Sequence, residues 1–119
     1  IDGGNAVKVG AGPVVGTYTF HGRGTLNGLI PHPRLLSLVE ESAKSQKVDL
    51  QRHATIGLLT DASYVQLVGE GVACVDVAWP TRYTHSGVEV CSLDDLEQLK
   101  KLLIGVVEKF SPEENFSRG

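Results

Sequence analysis

Residues 72–79, Val-Ala-Cys-Val-Asp-Val-Ala-Trp, form a near-continuous apolar run that stops at Pro80. A run of this length, rich in β-branched residues and bounded by turn formers, reads as a strand. Its lack of polar alternation predicts a parallel strand covered on both faces, as in layered α/β folds. Pro80-Thr81-Arg82-Tyr83-Thr84-His85-Ser86 follows it directly. His85 therefore lies just past a strand end, where open α/β sheets place their chemistry. An imidazole there is either a ligand or acid/base group, or a solvated loop histidine. Asp76 interrupts the run, and a carboxylate on such a strand needs partners. An edge position or a bond to a backbone amide accounts for it more simply than catalysis does.

The flanking segments supply the other elements. Val7, Val9, Val14, Val15, Thr17, Tyr18, Thr19 and Phe20 give residues 7–20 β character, broken at Gly10, Gly12 and Pro13. Pro33 suits a first helical position, and Leu35, Leu36, Val39 and Ala43 recur at helical spacing after it. Residues 48–56 read as a strand with polar alternation. Thr60 is placed to cap a second helix carrying Ala62, Val65, Gln66 and Val68, with Asp61 in its first turn and Gly69 or Gly71 as its stop. The last helix is capped by Ser92 and has Asp94 and Asp95 in its positive first turn. Leu96, Leu99, Leu103, Val106, Val107 and Phe110 are expected to form its apolar stripe. After Ser111-Pro112 the chain should fray. The β-α-β-α-β-α order predicts right-handed crossovers and a three-layer α/β/α sandwich.

Composition narrows the function classes. The chain has 119 residues, 11 basic against 14 acidic side chains, and dispersed basic residues, which argues against a nucleic-acid partner. No apolar run approaches the roughly 18 residues needed to span a membrane. Two cysteines, Cys74 and Cys91, make no disulfide framework, and a cytoplasmic location is expected. Gly10-Ala11-Gly12-Pro13-Val14-Val15-Gly16 fails as a dinucleotide loop. Its third glycine is one residue late, and Pro13 with its β-branched followers denies the helix N-terminus that would hold a pyrophosphate. The run from Gly22 to Gly28 fails likewise. His21, His32 and His53 read as solvated or hydrogen-bonded histidines. Asp2, before a double glycine, is either a turn former or a metal ligand. The chain opens on Ile1-Asp2-Gly3-Gly4 and has no methionine, so it is expected to be the C-terminal piece of a longer protein.

Taken in chain order, these segments resemble the C-terminal part of the dinuclear metallo-aminopeptidases, the group of glutamyl, deblocking and tetrahedral aminopeptidases. Val9-Gly10-Ala11-Gly12-Pro13 is similar to their Leu-Gly-x-Gly-Pro turn. Ile30-Pro31-His32-Pro33 is similar to their lead into the next helix, Thr60-Asp61-Ala62 to their Thr-Asp-Ala helix start, and Glu70-Gly71-Val72 to their entry into the last strand. Arg82-Tyr83-Thr84-His85-Ser86 with Glu89 resembles their Arg-Tyr-x-His-Ser-x-x-Glu signature.

The resemblance implies a zinc-exopeptidase-like fold, with residues 1–119 a partial catalytic domain (1–110 core, 111–119 tail). It implies two-metal hydrolysis of N-terminal residues from peptides, with two divalent ions, zinc or cobalt, activating a water in the complete protein. His85 and Asp2 are the implied metal ligands. Arg82, Tyr83, Ser86, Glu89, Thr60 and Asp61 would shape or support the site. The catalytic base and the remaining ligands would lie upstream of Ile1. The implied partners are a peptide substrate, the remainder of the catalytic domain and further copies in a homo-oligomer. Gly57-Leu58-Leu59 departs from the family's glycine-rich run, which bears on the pocket's shape. A non-catalytic fragment or relative that keeps the fold and acts in subunit association is the alternative.

Overall fold

The computed structural model describes residues 6–22 and 27–117. Its longest strand, β1 (Val14–Phe20), is the β-branched stretch freed from the Gly10–Pro13 interruption. β2 (Gly28–Leu29) pairs antiparallel with the end of β1. The chain then enters α1 (Pro33–Gln46), with Pro33 at the first helical position, as expected. His32 is the N-cap: its Nδ1 accepts the Arg34 N–H at 3.2 Å. The helix stops at Lys47, which takes a left-handed φ of 55° and returns its N–H to the last turn. β3 (Gln51–Ile56) lies parallel to β1, so β1, α1 and β3 form a β-α-β unit.

Two expectations fail in the next segment. The second helix is a single turn, α2 (Ala62–Val65), and Thr60 does not cap it. Asp61 occupies the N-cap position without a side-chain bond, while the Thr60 hydroxyl donates to Asp76 Oδ2 at 2.8 Å. The run 72–79 is extended over a shorter stretch than predicted: only β4 (Val77–Ala78) is laddered, and it pairs antiparallel with β1. It is half-buried rather than covered on both faces. Near-continuous apolarity reports burial, not direction, so the sequence pattern could not separate the two orientations. Beyond Pro80, β5 (Thr81–Arg82) and β6 (Val90–Cys91) close a small separate hairpin. α3 (Leu93–Lys109) follows, with the Ser92 hydroxyl accepting the Asp95 N–H.

The core forms where α1 and α3 pack together against Val15 of β1. Val15, Val39, Ala43, Val48, Leu99 and Leu102 are its buried members, with Val75 and Val77 packed alongside. The buried stripe of α3 runs through Asp95, Leu99, Leu102 and Gly105 rather than through Leu103, Val107 and Phe110, which are exposed. The reason is the close approach of α1. Ser42, fully buried, donates to the Leu102 carbonyl at 2.9 Å, and a Cβ on Gly105 would stand 2.2 Å from Ser42 Oγ. Small residues, not large ones, set this helix contact.

The C-terminal residues 111–117 fold back instead of fraying. Arg34 grips Glu114 through two bonds of 2.7 Å, and Phe116 stacks on Phe110 and meets His32 edge-on at 5.5 Å. The result is a mixed α/β fold with a small sheet flanked by helices. Among the described residues no helix is long and apolar enough to cross a membrane.

Candidate functional site

The antiparallel run of β4 decides where the site lies. Ala78 pairs with Val14 and Val77 with Val15, so β4 ends beside the beginning of β1. His85 does follow the carboxyl end of its strand, but that is the amino end of the parallel pair β1 and β3. The general rule for parallel sheets therefore applies to β4 alone. The turn around Gly10 and Gly12 leads into β1 and stands at the same end.

Within the hairpin, Arg82 pairs with Val90 and Thr81 with Cys91. Thr81 and Thr84 hydroxyls lie 2.8 Å apart. Tyr83 and His85 both take left-handed backbone, each with φ 61°. Two such non-glycine residues in one short turn cost about 1–3 kcal/mol each and must be held by their surroundings. The holding groups are local. Glu89 Oε1 accepts the His85 N–H at 2.6 Å. The Ser86 hydroxyl lies 2.5 Å from the Tyr83 carbonyl and 2.8 Å from that of Val88, and accepts the Val88 N–H at 3.3 Å. Ser86 and Glu89 thus fix the backbone of the turn, and the imidazole of His85 stands at the surface.

The neighbouring turn is fixed from the core. Asp95 is completely buried, and its two oxygens accept the Gly10 N–H at 2.7 Å and the Gly12 N–H at 2.8 Å. Gly12, with φ 96°, has no room for a side chain: a Cβ would stand 1.8 Å from the Asp49 carbonyl oxygen. The glycines serve a close backbone approach rather than a phosphate. This role of Asp95 escapes a reading of its helix start alone. The signal was available, because the stripe through Leu99 and Leu102 extended back one turn lands on Asp95.

The site residues expected from sequence separate into groups. His85, Arg82, Tyr83, Ser86 and Glu89 share the hairpin. Thr60 is bonded to Asp76, whose carbonyl accepts the Gly16 N–H at 2.9 Å, and Asp61 is exposed at the start of α2. Neither is brought into the hairpin. Asp2 lies outside the described residues. A cavity of about 340 Å³ is bordered by Phe20, Leu29 and Gln66, at the far end of β1 from His85.

A structural or catalytic zinc takes three or four protein donors. The exposed imidazole of His85, on a turn whose backbone is already fixed, fits one of them. Among the described residues there is no group of three or more His, Cys, Asp or Glu able to hold an ion. Cys74 and Cys91 form no disulfide. Among the described residues the hairpin therefore does not assemble the three donors such a site takes.

The chain is 39% identical over 97 residues to SgcX of Escherichia coli (strain K12), which covers 82% of this chain and 26% of SgcX. It superposes on the TET aminopeptidase of the marine sediment archaeon Thaumarchaeota archaeon SCGC AB-539-E09 with a TM-score of 0.81 and 30% identity, over 92% of this chain and 30% of that one. The aminopeptidase APDkam598 of the archaeon Desulfurococcus kamchatkensis gives a TM-score of 0.82 and 33% identity, over 90% and 29%. The chain thus spans a little over a quarter of the length of these relatives. Its α/β architecture is that of a partial aminopeptidase domain, and its residues 2–102 match the M42 glutamyl aminopeptidase family, to which the chain belongs.

Proposed function

We propose that this chain, taken by itself, is a non-catalytic portion of the aminopeptidase fold whose work is association with the rest of a catalytic domain. The observation that carries this reading is the isolation of His85. It stands exposed on a hairpin with a fixed backbone, and it belongs to no group of three or more His, Cys, Asp or Glu among the described residues. Two-metal hydrolysis needs a bridging carboxylate, further ligands and a base. When the two metal ions are bound, they supply an activated water for attack on the peptide carbonyl. This chain's part is narrower: His85 presents one imidazole, and Glu89 and Ser86 hold the turn that presents it.

Within a longer chain or a complex, the same residues would belong to a two-metal aminopeptidase removing N-terminal residues from peptides. The family match supports this second reading. Asp2 is the further ligand it requires from this sequence, and zinc or cobalt the metal.

Zinc titration of the 119-residue chain by calorimetry tests the first reading. The expected result is no stoichiometric tight site, with any weak binding lowered by His85→Ala. A tight one-to-one or two-to-one site in the chain alone contradicts it.

A further inference from the structure

We propose that the surface covered by residues 111–117 is a peptide-binding site that this chain fills with its own tail. In trans it accepts a segment of another chain that bears a carboxylate and, two residues on, an aromatic ring.

The tail has the form of a bound peptide. Glu114 and Phe116 turn into the body, while Glu113, Asn115 and Ser117 around them are exposed. Glu114 takes two bonds of 2.7 Å from Arg34. Phe116 stacks on Phe110 at 5.7 Å and meets His32 edge-on. Backbone bonds of the tail close on the tail itself: the Glu114 N–H donates to the Ser111 carbonyl at 3.0 Å, and the Ser117 N–H to Asn115 Oδ1 at 2.8 Å. Two side chains at a fixed spacing thus make a charge contact and a ring contact that a detached peptide could equally make.

The receiving face is built without the tail. His32 is fixed at three atoms. Its N–H donates to the Cys74 carbonyl at 3.0 Å, its carbonyl accepts the Leu36 N–H at 2.9 Å, and its Nδ1 accepts the Arg34 N–H. Glu41, two turns along α1, takes a bond of 3.0 Å from the third nitrogen of the Arg34 guanidinium. Neither contact uses residues 111–117, so the site is preorganised and one occupant can replace another at little cost. Arg34 keeps 37% of its side chain open to solvent with the tail in place, so an incoming carboxylate can reach it.

The tail is also an incomplete occupant. Because Nδ1 of His32 accepts a bond, the neutral ring carries its proton on Nε2. His32 is only 4% exposed, and its Nε2 is buried without a hydrogen-bond partner among the described residues. A buried donor left unpaired is destabilising. Two cavities border this residue. One of about 550 Å³ reaches Gln66, Glu70 and Val72 with Phe116 in its wall, and one of about 420 Å³ lies beside Arg34 and Asn115. The tail fills the ion-pair and ring positions and leaves the donor and the space around it unused. The ligand chemistry is therefore an acidic-aromatic peptide with a hydrogen-bond acceptor near its ring.

A tethered tail competes at the high local concentration that its short link imposes, so the parent chain should bind a free peptide weakly. The test compares the 119-residue chain with its Glu114→Ala, Phe116→Ala double variant. The probe is a fluorescein-labelled peptide of residues 111–117, read by fluorescence anisotropy. The expected result is binding by the variant about tenfold or more tighter than by the parent. Glu114→Gln or Phe116→Ala in the peptide should each weaken that binding about tenfold or more, as should Arg34→Ala added to the variant. Amide exchange in α1 and α3 checks that the variant is folded. Glu114→Gln alone, which keeps the shape of the side chain, replaces the double variant if that one is not, with the same expected order of affinities. A folded variant that binds the peptide no tighter than the parent overturns the proposal, as does binding indifferent to the peptide changes and to Arg34→Ala.

Discussion

The turn at Gly10 and Gly12 and the hairpin tip at Tyr83 and His85 stand at the same end of the sheet, and both use left-handed backbone. The first is tied by a fully buried carboxylate on α3, so it shares the stability of the core. The second, among the described residues, is tied to its own hairpin through Glu89 and Ser86. The difference separates framework from function in this chain. The turn is finished without outside help, and the hairpin offers a histidine that nothing within the described residues uses.

The largest expected effect is on the framework side. Asp95→Ala leaves two backbone N–H groups without their acceptor. With about 1.5–3 kcal/mol for each bond to a charged group, a loss of about 3 kcal/mol or more is expected in urea unfolding. Asp95→Asn should recover part of it by keeping one acceptor. Gly12→Ala should cost about 2 kcal/mol or more, because the left-handed φ and the Asp49 carbonyl both oppose a side chain. A loss under about 0.5 kcal/mol for either would erase the contrast between the two loops.

The docked tail gives an intermediate test. The Arg34 guanidinium holds the Glu114 carboxyl below the usual carboxylate range, and Glu114 in turn raises Arg34. A carboxylate lowered in the folded state stabilises above its unfolded pKa and loses that contribution as pH falls through its folded value. Protection from exchange at residues 111–117, taken relative to the intrinsic rate at each pH, should therefore be high at neutral pH and fall below the usual carboxylate range. Arg34→Ala should remove that protection at all pH values. Equal exchange in the variant and the parent at neutral pH would show that the ion pair does not hold the tail.

The smallest effect belongs to the hairpin. Glu89→Ala should change global stability by less than about 0.5 kcal/mol, as is usual for exposed sites. It should still speed exchange of the His85 amide, which loses its acceptor. A global loss comparable to that of Asp95→Ala would mean that the hairpin is as deeply tied in as the turn.

These contrasts also show what a sequence can disclose. α1 and α3 were legible because Pro33, Ser92 and the apolar spacing are local signals that act within one element. The hairpin residues were legible as a motif. The direction of β4 was not, since Val75 and Val77 would be apolar in either orientation. Nor was the fate of Thr60, whose hydroxyl chose a carboxylate sixteen positions away over the helix it precedes. The apolar stripe of α3 was misplaced because Gly105 and Ser42 allow a closer contact than large side chains would. The docked tail depends on Arg34 and Phe110 meeting Glu114 and Phe116, which no local pattern encodes.

The central proposal is that this chain carries one ligand of an aminopeptidase centre and does not complete that centre alone. Aminopeptidase turnover, measured on the purified chain with zinc or cobalt and again after addition of the upstream part of SgcX, tests it most directly. The account predicts no turnover from the chain alone, turnover from the mixture, and its loss together with bound metal in His85→Ala. Robust turnover by the chain alone, or a mixture in which His85→Ala keeps both activity and metal, would contradict it.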